Sequence, residues 1–139
     1  MLQIRYVTYA DRAGWYMLDR HLPPEGFDEK VRTRQGYVLA EDDEITGILR
    51  YNFFWDNTPF CTLLYIAAGH RGLGHGRRLM EHWEREMRSC GFGMVMTSTQ
   101  VDEEAQHFYR KLGYKDAGGF VVDLPGYGQP MELMMVKGL

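Results

Sequence analysis

The sequence predicts a single α/β domain over residues 1–139, with a mixed, mostly antiparallel sheet of about six or seven strands and about four helices. Three observations predict it. Two segments with strand-like alternation are joined by an acidic turn, which indicates an early hairpin. A strand, a helix and another strand follow one another in the middle of the chain. The length of 139 residues suffices for one core and is too short for two.

The first half of the chain is predicted to hold a strand, helical segments and the hairpin. Alternating apolar residues indicate a half-buried strand over residues 2–6. Helical spacing follows from residue 9 to about 22, and the segment HLPPEGFDEKVRTRQG interrupts it before a short helix. Residues 37–55 are interpreted as two strands joined by the acidic turn 41–44, and a third apolar run covers residues 61–68.

The second half is predicted to contain two helices and three strands. Apolar residues recur at one-turn spacing from 79 to 87 and again from 105 to 112, and each segment is followed by a glycine that ends a helix. Residues 92–99 form a predicted strand between them. The last two strands are predicted at 120–124 and 131–136, on either side of the loop PGYGQP.

Composition and charge exclude several classes of protein. A hydrophobic fraction of 45% excludes a disordered chain, and a net charge of −3 argues against a nucleic-acid partner. No apolar run approaches the roughly 20 residues that span a bilayer, and the first residues lack a secretion signal. Cys61 and Cys90 form no disulfide scaffold, and no spacing resembles a metal site. We therefore expect a cytoplasmic protein with reduced thiols, no membrane contact and no metal.

Three glycines stand at alternate positions, Gly72, Gly74 and Gly76, directly before a predicted helix. Glycine weakens a helix or strand by roughly 0.5–1 kcal/mol relative to alanine, so three of them serve a need of the backbone. The N–H groups of a first helical turn have no internal partner and form an anion site together with the helix dipole. Three arginines flank the glycines and would add charge-assisted contacts: Arg71, Arg77 and Arg78. The segment therefore predicts phosphate or pyrophosphate binding.

Three alternatives apply to the glycines. A P-loop requires GxxxxGK followed by Ser or Thr, which this chain lacks. A dinucleotide fingerprint requires GxGxxG, and Arg77 occupies the place of its last glycine. The third alternative is structural, because the glycines could merely form a turn and a tight contact between helix and sheet.

Two motifs, RGLGHG at residues 71–76 and AQHFYRKLGY at residues 105–114, resemble those of the GCN5-related N-acetyltransferase (GNAT) family. RGLGHG, with Arg71, Gly74 and Gly76, resembles R/Q-x-x-G-x-G/A. AQHFYRKLGY, from Ala105 to Tyr114, resembles the second signature, which is close to A-x-x-F-Y-x-K-L-G-F. The motifs lie about 30 residues apart with a helix and a strand between them, and the resemblance covers roughly residues 60–116.

The resemblance implies acetyl-coenzyme A as the donor and a sheet that splays between strands 4 and 5 to admit the pantetheine arm. Main-chain groups near Leu64 and Ile66 would pair with that arm, and the loop amides would hold the pyrophosphate. The implied cofactor-binding residues are Leu64, Ile66, Arg71, Gly72, Leu73, Gly74, His75, Gly76 and Arg77. The family commonly has proline at Ala68 and asparagine at Asp102, and we expect Asp102 to cap a helix instead.

By the same resemblance, an amine attacks the thioester directly in a ternary complex. A main-chain N–H near Ile66 would stabilise the oxyanion. Tyr109 is the candidate general acid, because its hydroxyl would point at the coenzyme sulfur and a tyrosine with a pKa near 10 stays protonated at neutral pH. The alternative is that Tyr109 is a core aromatic residue beside Phe108.

The sequence does not assign the general base. By the resemblance, the early helix–loop region usually lines the acceptor pocket, and it holds His21, Glu25 and Asp28. These three and two further carboxylates, Glu41 and Asp56, are nevertheless interpreted as solvated surface charges. The same interpretation applies to four residues on helices: His82, Glu84, Glu86 and His107. His75 is interpreted as a surface or phosphate-adjacent residue. Neither cysteine has a basic neighbour in sequence, which argues against an acyl-carrying thiol.

The acceptor is predicted to be a small-molecule amine rather than a protein. Aromatic residues are plentiful in the half that would face it, and alternation places Tyr51, Phe53 and Trp55 on one face of the sheet. The segment DLPGYGQP is a lid, a homodimer contact or an ordinary strand connection. The alternative function is a coenzyme-binding sensor or interaction module that has lost catalysis.

Overall fold

A computed structural model describes all residues, 1–139. It contains seven strands and four helices, which confirms the predicted α/β class. The strands are β1 (Leu2–Tyr6), β2 (Gly36–Glu41), β3 (Glu44–Phe54), β4 (Thr58–Ile66), β5 (Met94–Gln100), β6 (Lys115–Phe120) and β7 (Glu132–Gly138). The helices are α1 (Arg12–Tyr16), α2 (Pro24–Thr33), α3 (His75–Ser89) and α4 (Ala105–Lys111), with 3-10 turns at Tyr9–Asp11 and Ala68–His70.

The strands form one sheet in the order β1-β2-β3-β4-β5-β7-β6. Pairing is antiparallel between β1 and β2, between β2 and β3, and where β7 meets β5 and β6. β4 and β5 are parallel, and they pair only at Phe60 with Met96 and at Cys61 with Thr97. The sheet is therefore mixed and mostly antiparallel, and the predicted loss of pairing between strands 4 and 5 begins after Cys61.

The chain divides into two compact units. The first comprises Met1–Asn52 and Thr62–Glu86, and the second comprises Phe53–Cys61 and Met87–Leu139. β3, β4 and α3 contribute residues to both units. The expectation that residues 1–139 form one acetyltransferase domain stays a prediction. No helix combines the length and the apolar character that a bilayer crossing requires.

The first unit has a core of apolar side chains from its strands and first two helices. Trp15 and Phe27 are fully buried and meet edge to face, with ring centroids 5.9 Å apart. On α3, Leu79 and Trp83 are buried, as the one-turn spacing predicts, and the Trp83 ring lies 5.7 Å from that of Tyr51. This packing fixes the helix whose first turn follows the glycines.

The second unit is built around β5 and β7. Val95 and Met135 are completely buried, and the two strands pair along their full length from Met94–Gly138 to Gln100–Glu132. Both predicted glycine helix ends are confirmed, since Gly91 and Gly113 have φ angles of 93° and 98°. The hairpin at 41–44 is confirmed as well.

The first predicted helix is wrong in its extent. The segment expected to be helical to about residue 22 forms a 3-10 turn and the five-residue α1, which ends at Tyr16. Beyond it, the carboxylate of Asp19 accepts hydrogen bonds from the backbone N–H groups of His21 (3.0 Å) and Leu22 (3.2 Å). An aspartate that binds nearby backbone donors competes with helical hydrogen bonding, which explains the early end.

Two strand predictions need correction. The strand expected at 120–124 is β6, which ends at Phe120; every residue of β6 is exposed, so it has no apolar alternation to mark it. A register shift between Asp116 and Gly119, where Gly118 has a φ of 95°, further obscures the pattern. Trp55 does not share a strand face with Tyr51, because it lies in the turn after β3 with a φ of 56° and 72% of its surface exposed.

Candidate functional site

The glycine loop begins where β4 and the turn Ala68–His70 end. Gly72 and Gly74 have φ angles of 77° and 83°, in the left-handed region that strains any other residue. A Cβ atom at either position would meet no atom within 4 Å. The backbone conformation therefore explains why these two positions are glycine. A tight contact between helix and sheet does not explain it, because there is room for a side chain. They leave the main chain open to an approaching ligand.

The first turn of α3 follows this loop at once. α3 begins at His75, and the Arg78 N–H is the first to bond back along the chain, to the Gly74 carbonyl at 3.1 Å. The amides of His75, Gly76 and Arg77 thus lack helical partners. Unpaired amides at the positive end of a fifteen-residue helix suit a phosphate or carboxylate.

Two of the three flanking arginines have defined partners. Arg71 donates from Nε to the Ile66 carbonyl at 2.8 Å and lies 5.1 Å from the centre of the Tyr65 ring. Arg77 donates from Nε to Glu81 at 2.5 Å on the exposed side of α3. Arg71 thereby ties the start of the loop to the end of β4, with its charge beside the loop.

His75 is buried, with 8% of its surface exposed, which contradicts the surface alternative. The phosphate-adjacent alternative stays a prediction. Its ring stacks on that of His70 at 6.4 Å, and His70 Nδ1 lies 3.4 Å from a Glu41 carboxylate oxygen. The buried Nδ1 of His75 has no hydrogen-bond partner. The His75 side chain therefore contacts the turn that precedes the loop, through the ring of His70.

The end of β4 presents main-chain groups on the edge that faces away from β3. The Ala67 N–H donates to the Thr46 carbonyl of β3 at 2.8 Å. Because main-chain groups alternate in direction along a strand, those of Leu64 and Ile66 point to the opposite edge. The Ile66 carbonyl there accepts the Arg71 bond.

Tyr109 lies in the second unit, on α4, with 6% of its surface exposed. Burial raises the pKa of its hydroxyl well above the usual value, against a lowering contribution from a hydrogen bond with the Thr97 side chain. The ring packs against Phe108 at 5.2 Å and Tyr114 at 5.7 Å. Thr97 and Cys61 form the last pair between β4 and β5, so the Tyr109 hydroxyl lies where that pairing stops.

Several residues predicted as solvated charges have other surroundings. Glu84 is only 5% exposed, so that interpretation is wrong. His82 is half-buried with its ring 5.2 Å from that of Tyr37, and burial lowers its pKa. Asp28 pairs with Arg12. Glu84 stands among other charged residues of α3, and nothing in that local sequence distinguishes a buried carboxylate from an exposed one. The sequence therefore predicts the wrong environment for Glu84.

The remaining predictions concern Asp102, the cysteines and metal. α4 begins after Glu104 without any side-chain cap, so the expected capping role of Asp102 is wrong. Both cysteines are free; Cys61 is buried within β4, and Cys90 is exposed beyond α3. No group of histidine, cysteine or carboxylate side chains is arranged to hold a metal ion.

A buried polar network in the first unit has no counterpart in the sequence analysis. The Asp19 side chain is fully buried and accepts a hydrogen bond from Trp15 Nε1 at 3.0 Å and one from Arg50 Nε at 2.9 Å. Arg50 also donates from Nη1 to Thr62 Oγ1 of β4 at 3.0 Å. Burial opposes the ionisation of Asp19, but these bonds outweigh it and lower its pKa. Arg50 stands 31 residues from Asp19 and 12 from Thr62, so no local spacing signals the network.

Comparisons with known proteins define the class. The sequence model of the Acetyltransferase (GNAT) family matches residues 4–114. Streptothricin acetyltransferase from Streptomyces lavendulae is 31% identical over 96 residues, which are 68% of this chain and 50% of that protein. Blasticidin-S acetyltransferase from Streptomyces morookaense is 32% identical over 91 residues, which are 65% of each chain.

A solved structure shares the fold. N-acetylglutamate synthase from Neisseria gonorrhoeae, complexed with coenzyme A and N-acetyl-glutamate, matches with a TM-score of 0.77 at 14% identity, over 100% of this chain and 35% of that one. The chain belongs to the GNAT family, because the family match extends over most of its length. It spans about half the length of the streptothricin acetyltransferase.

Proposed function

We propose that this protein is an acetyl-coenzyme A-dependent N-acetyltransferase that moves an acetyl group to the amine of a small molecule. The observation that carries the proposal is the pair of left-handed glycines, Gly72 and Gly74, opening a helix whose first amides lack partners. Family membership supports acetyl-coenzyme A as the ligand of this anion site. The coenzyme A bound to N-acetylglutamate synthase, which shares the fold, supports it.

In this proposal, the donor lies along β4 and the loop after it. Amides between Gly72 and Arg77 hold the pyrophosphate, and Arg71 adds positive charge beside them. The main-chain groups of Leu64 and Ile66 that face away from β3 pair with the pantetheine arm as a neighbouring strand would. The proposed cofactor-binding set is Leu64, Ile66, Arg71, Gly72, Leu73, Gly74, His75, Gly76 and Arg77, with His75 contributing its main chain.

The reaction we propose is direct attack of a neutral amine on the thioester carbonyl. Bringing the two reactants together in one complex supplies a large share of the acceleration. The C–N bond forms as the Ile66 N–H stabilises the oxyanion, and the C–S bond then breaks. The Tyr109 hydroxyl protonates or hydrogen-bonds the departing thiolate, and the proton lost by the attacking nitrogen passes to solvent, from which Tyr109 is reprotonated where it has given up its proton. A pKa raised by burial keeps the Tyr109 proton in place at neutral pH.

A small-molecule acceptor is favoured by the two sequence relatives. Each is named for a compound, streptothricin or blasticidin-S, and not for a protein. At 31% and 32% identity they share more of this sequence than the solved structure described above does. We therefore expect turnover with small amines before peptides.

The proposed function is tested in two stages. Calorimetric titration with acetyl-coenzyme A is expected to show one site, and Gly74→Val is expected to weaken it at least tenfold. Gly69→Val is the control, because a Cβ there also meets open space and its φ carries no strain. Thiol release is then followed across a panel of amines. Binding without turnover of any amine would identify a coenzyme-binding module instead, and absence of binding would exclude both.

The homodimer also stays a proposal. The loop between β6 and β7 exposes Val121, Leu124 and Tyr127. Sedimentation velocity of the wild type and of Leu124→Ser tests whether this loop joins two copies; a monomer at all concentrations rejects it.

A further inference from the structure

Arg50 is held in place with part of its guanidinium unused. Nε binds Asp19 and Nη1 binds Thr62, which fixes the plane of the group. Nη2 has no hydrogen-bond partner, and it is not sealed inside the protein. The side chain is 13% exposed, whereas that of Asp19 is 0% exposed. A rigid, nearly buried guanidinium therefore presents one free edge to whatever lies beside it.

The charges around Arg50 do not balance. Lys30 is buried and donates to the Tyr51 carbonyl at 2.6 Å and to the Gln35 side chain at 3.4 Å, with no ion-pair partner. Burial lowers the pKa of Lys30, and the charge of Arg50 lowers it further, against a raising contribution from the exposed Glu29. Arg50 is paired with the buried carboxylate of Asp19, and its charge also acts on Lys30, a second buried cation that has no carboxylate partner. Such a surplus of positive charge favours an electron-rich oxygen as the missing partner.

The position of Arg50 relates it to the proposed donor site. Its partner Thr62 lies on β4, two residues before Leu64, which corresponds to about 7 Å along a strand. Leu64 is proposed to pair with the arm that carries the acetyl group. An oxygen bound at Arg50 would therefore belong to a molecule that lies next to that arm.

We propose that Arg50 is a specificity-determining residue that binds a carboxyl-type oxygen of the acceptor, either a carboxylate or an amide carbonyl, close to its reacting amine. The inference rests on the proposed acetyl transfer and names its substrate class. Asp19 and Thr62 are positioning residues, because they hold the guanidinium but leave Nη2 to the substrate. Planar guanidinium groups match carboxyl oxygens in geometry, which a lysine does less well.

The kinetic test uses three acceptors that differ in one group: alanine, alaninamide and ethylamine, compared at equal concentrations of the neutral amine. We expect kcat/KM for ethylamine to be at least tenfold below that of the better of the other two. A preference for alanine would identify the bound oxygen as a carboxylate oxygen, and a preference for alaninamide would identify it as an amide carbonyl. Arg50→Met should abolish the difference, mainly through KM, and Arg50→Lys should restore part of it for alanine. Arg12→Met is the matched control, because Arg12 pairs with Asp28 on the surface. Equal kcat/KM for all three acceptors in the wild type overturns the proposal.

A second measurement needs no turnover. The Nε–H signals of the arginine side chains are followed by NMR during titration with sodium acetate, and separately with sodium chloride. The Arg50 signal should shift saturably with acetate alone, and the Arg12 signal should respond equally to both salts. An Arg50 signal that ignores acetate overturns the proposal, even in an active enzyme. A saturable shift in a protein that acetylates no amine would leave the oxygen site standing and reject the proposed function.

Folding of the variants is addressed separately. Arg50→Met leaves a buried carboxylate without its cation, which is destabilising. The double variant Asp19→Asn with Arg50→Met removes both charges and is expected to fold. It should show the same loss of preference as Arg50→Met; a retained preference for alanine or alaninamide overturns the proposal.

Discussion

Thr97 Oγ1 donates a hydrogen bond to the main-chain carbonyl of Cys61 at 3.1 Å, at the last residue pair that joins β4 to β5. A side chain thus reinforces the point at which the parallel ladder ends. The Tyr109 hydroxyl interacts with the same Thr97 side chain. The Tyr109 hydroxyl therefore lies at the end of this parallel ladder, within the second unit.

Replacing Tyr109 by phenylalanine tests its role as an acid. The variant removes one hydroxyl and keeps the ring contacts with Phe108 and Tyr114. General acid catalysis contributes typically 10²–10⁴-fold, so kcat should fall by about that factor with little change in the KM for acetyl-coenzyme A. Tyr9→Phe, at an exposed tyrosine, is the control. An unchanged kcat in an assay limited by chemistry would show that Tyr109 is only a core aromatic residue.

The same hydroxyl predicts alkaline sensitivity. Burial raises the pKa values of both Tyr37 and Tyr109, so each stays protonated in the folded protein while its unfolded counterpart ionises near pH 10. The unfolded state then binds fewer protons, and the free energy of unfolding falls as the pH rises above about 10, by about 1.4 kcal/mol per pH unit for each tyrosine. Urea denaturation between pH 9 and 11 measures the slope, which Tyr109→Phe should make shallower. An identical slope in both proteins contradicts the prediction.

The sequence predicts best where one residue type has one physical use. Gly74 illustrates this, because a left-handed backbone before a helix favours glycine and the pattern is visible in five residues. The apolar spacing of α3 is equally local. The class of fold and the left-handed glycine loop, which is proposed to bind the donor, therefore follow from short stretches of chain.

Prediction fails where a contact joins distant residues. Asp19 ends the first helix by binding amides in the following turn, and the same carboxylate holds Arg50 from 31 residues away. The sequence of β6 shows no alternation of apolar and polar residues, because neither face of this strand is buried. Glu84 stands among charged residues in the sequence and is nevertheless buried in the structure. In each case the tertiary partner decides the structure, and the local sequence does not encode it.

Gly74→Ala should reduce stability as well as coenzyme binding. A φ of 83° forces a left-handed conformation that costs roughly 1–2 kcal/mol for a residue with a Cβ. Steric clash is excluded, because no atom lies within 4 Å of the added methyl. The midpoint of urea denaturation should therefore fall with an unchanged m-value. Gly69→Ala, which has equal space and no positive φ, should leave the midpoint unchanged; equal losses in both variants would contradict the explanation by strain.

Asp19→Asn should remove a pH-dependent part of the stability. Hydrogen bonds from Arg50, Trp15 and the amide of His21 lower the pKa of Asp19 despite its burial. The carboxylate therefore stabilises the fold fully above its unfolded pKa of about 3.9, and this contribution is lost as the pH falls through the lower folded value. Breaking a buried charge pair from one side costs about 3–5 kcal/mol, so the asparagine variant should be less stable by up to that amount at pH 7. The deficit should shrink toward pH 3, which denaturation at a series of pH values measures.

Arg12→Met is the control for Asp19→Asn. It breaks an exposed pair and should change the free energy of unfolding by less than about 1 kcal/mol. A deficit for Asp19→Asn that stays constant from pH 7 to pH 3 would show that its ionisation does not hold the network together.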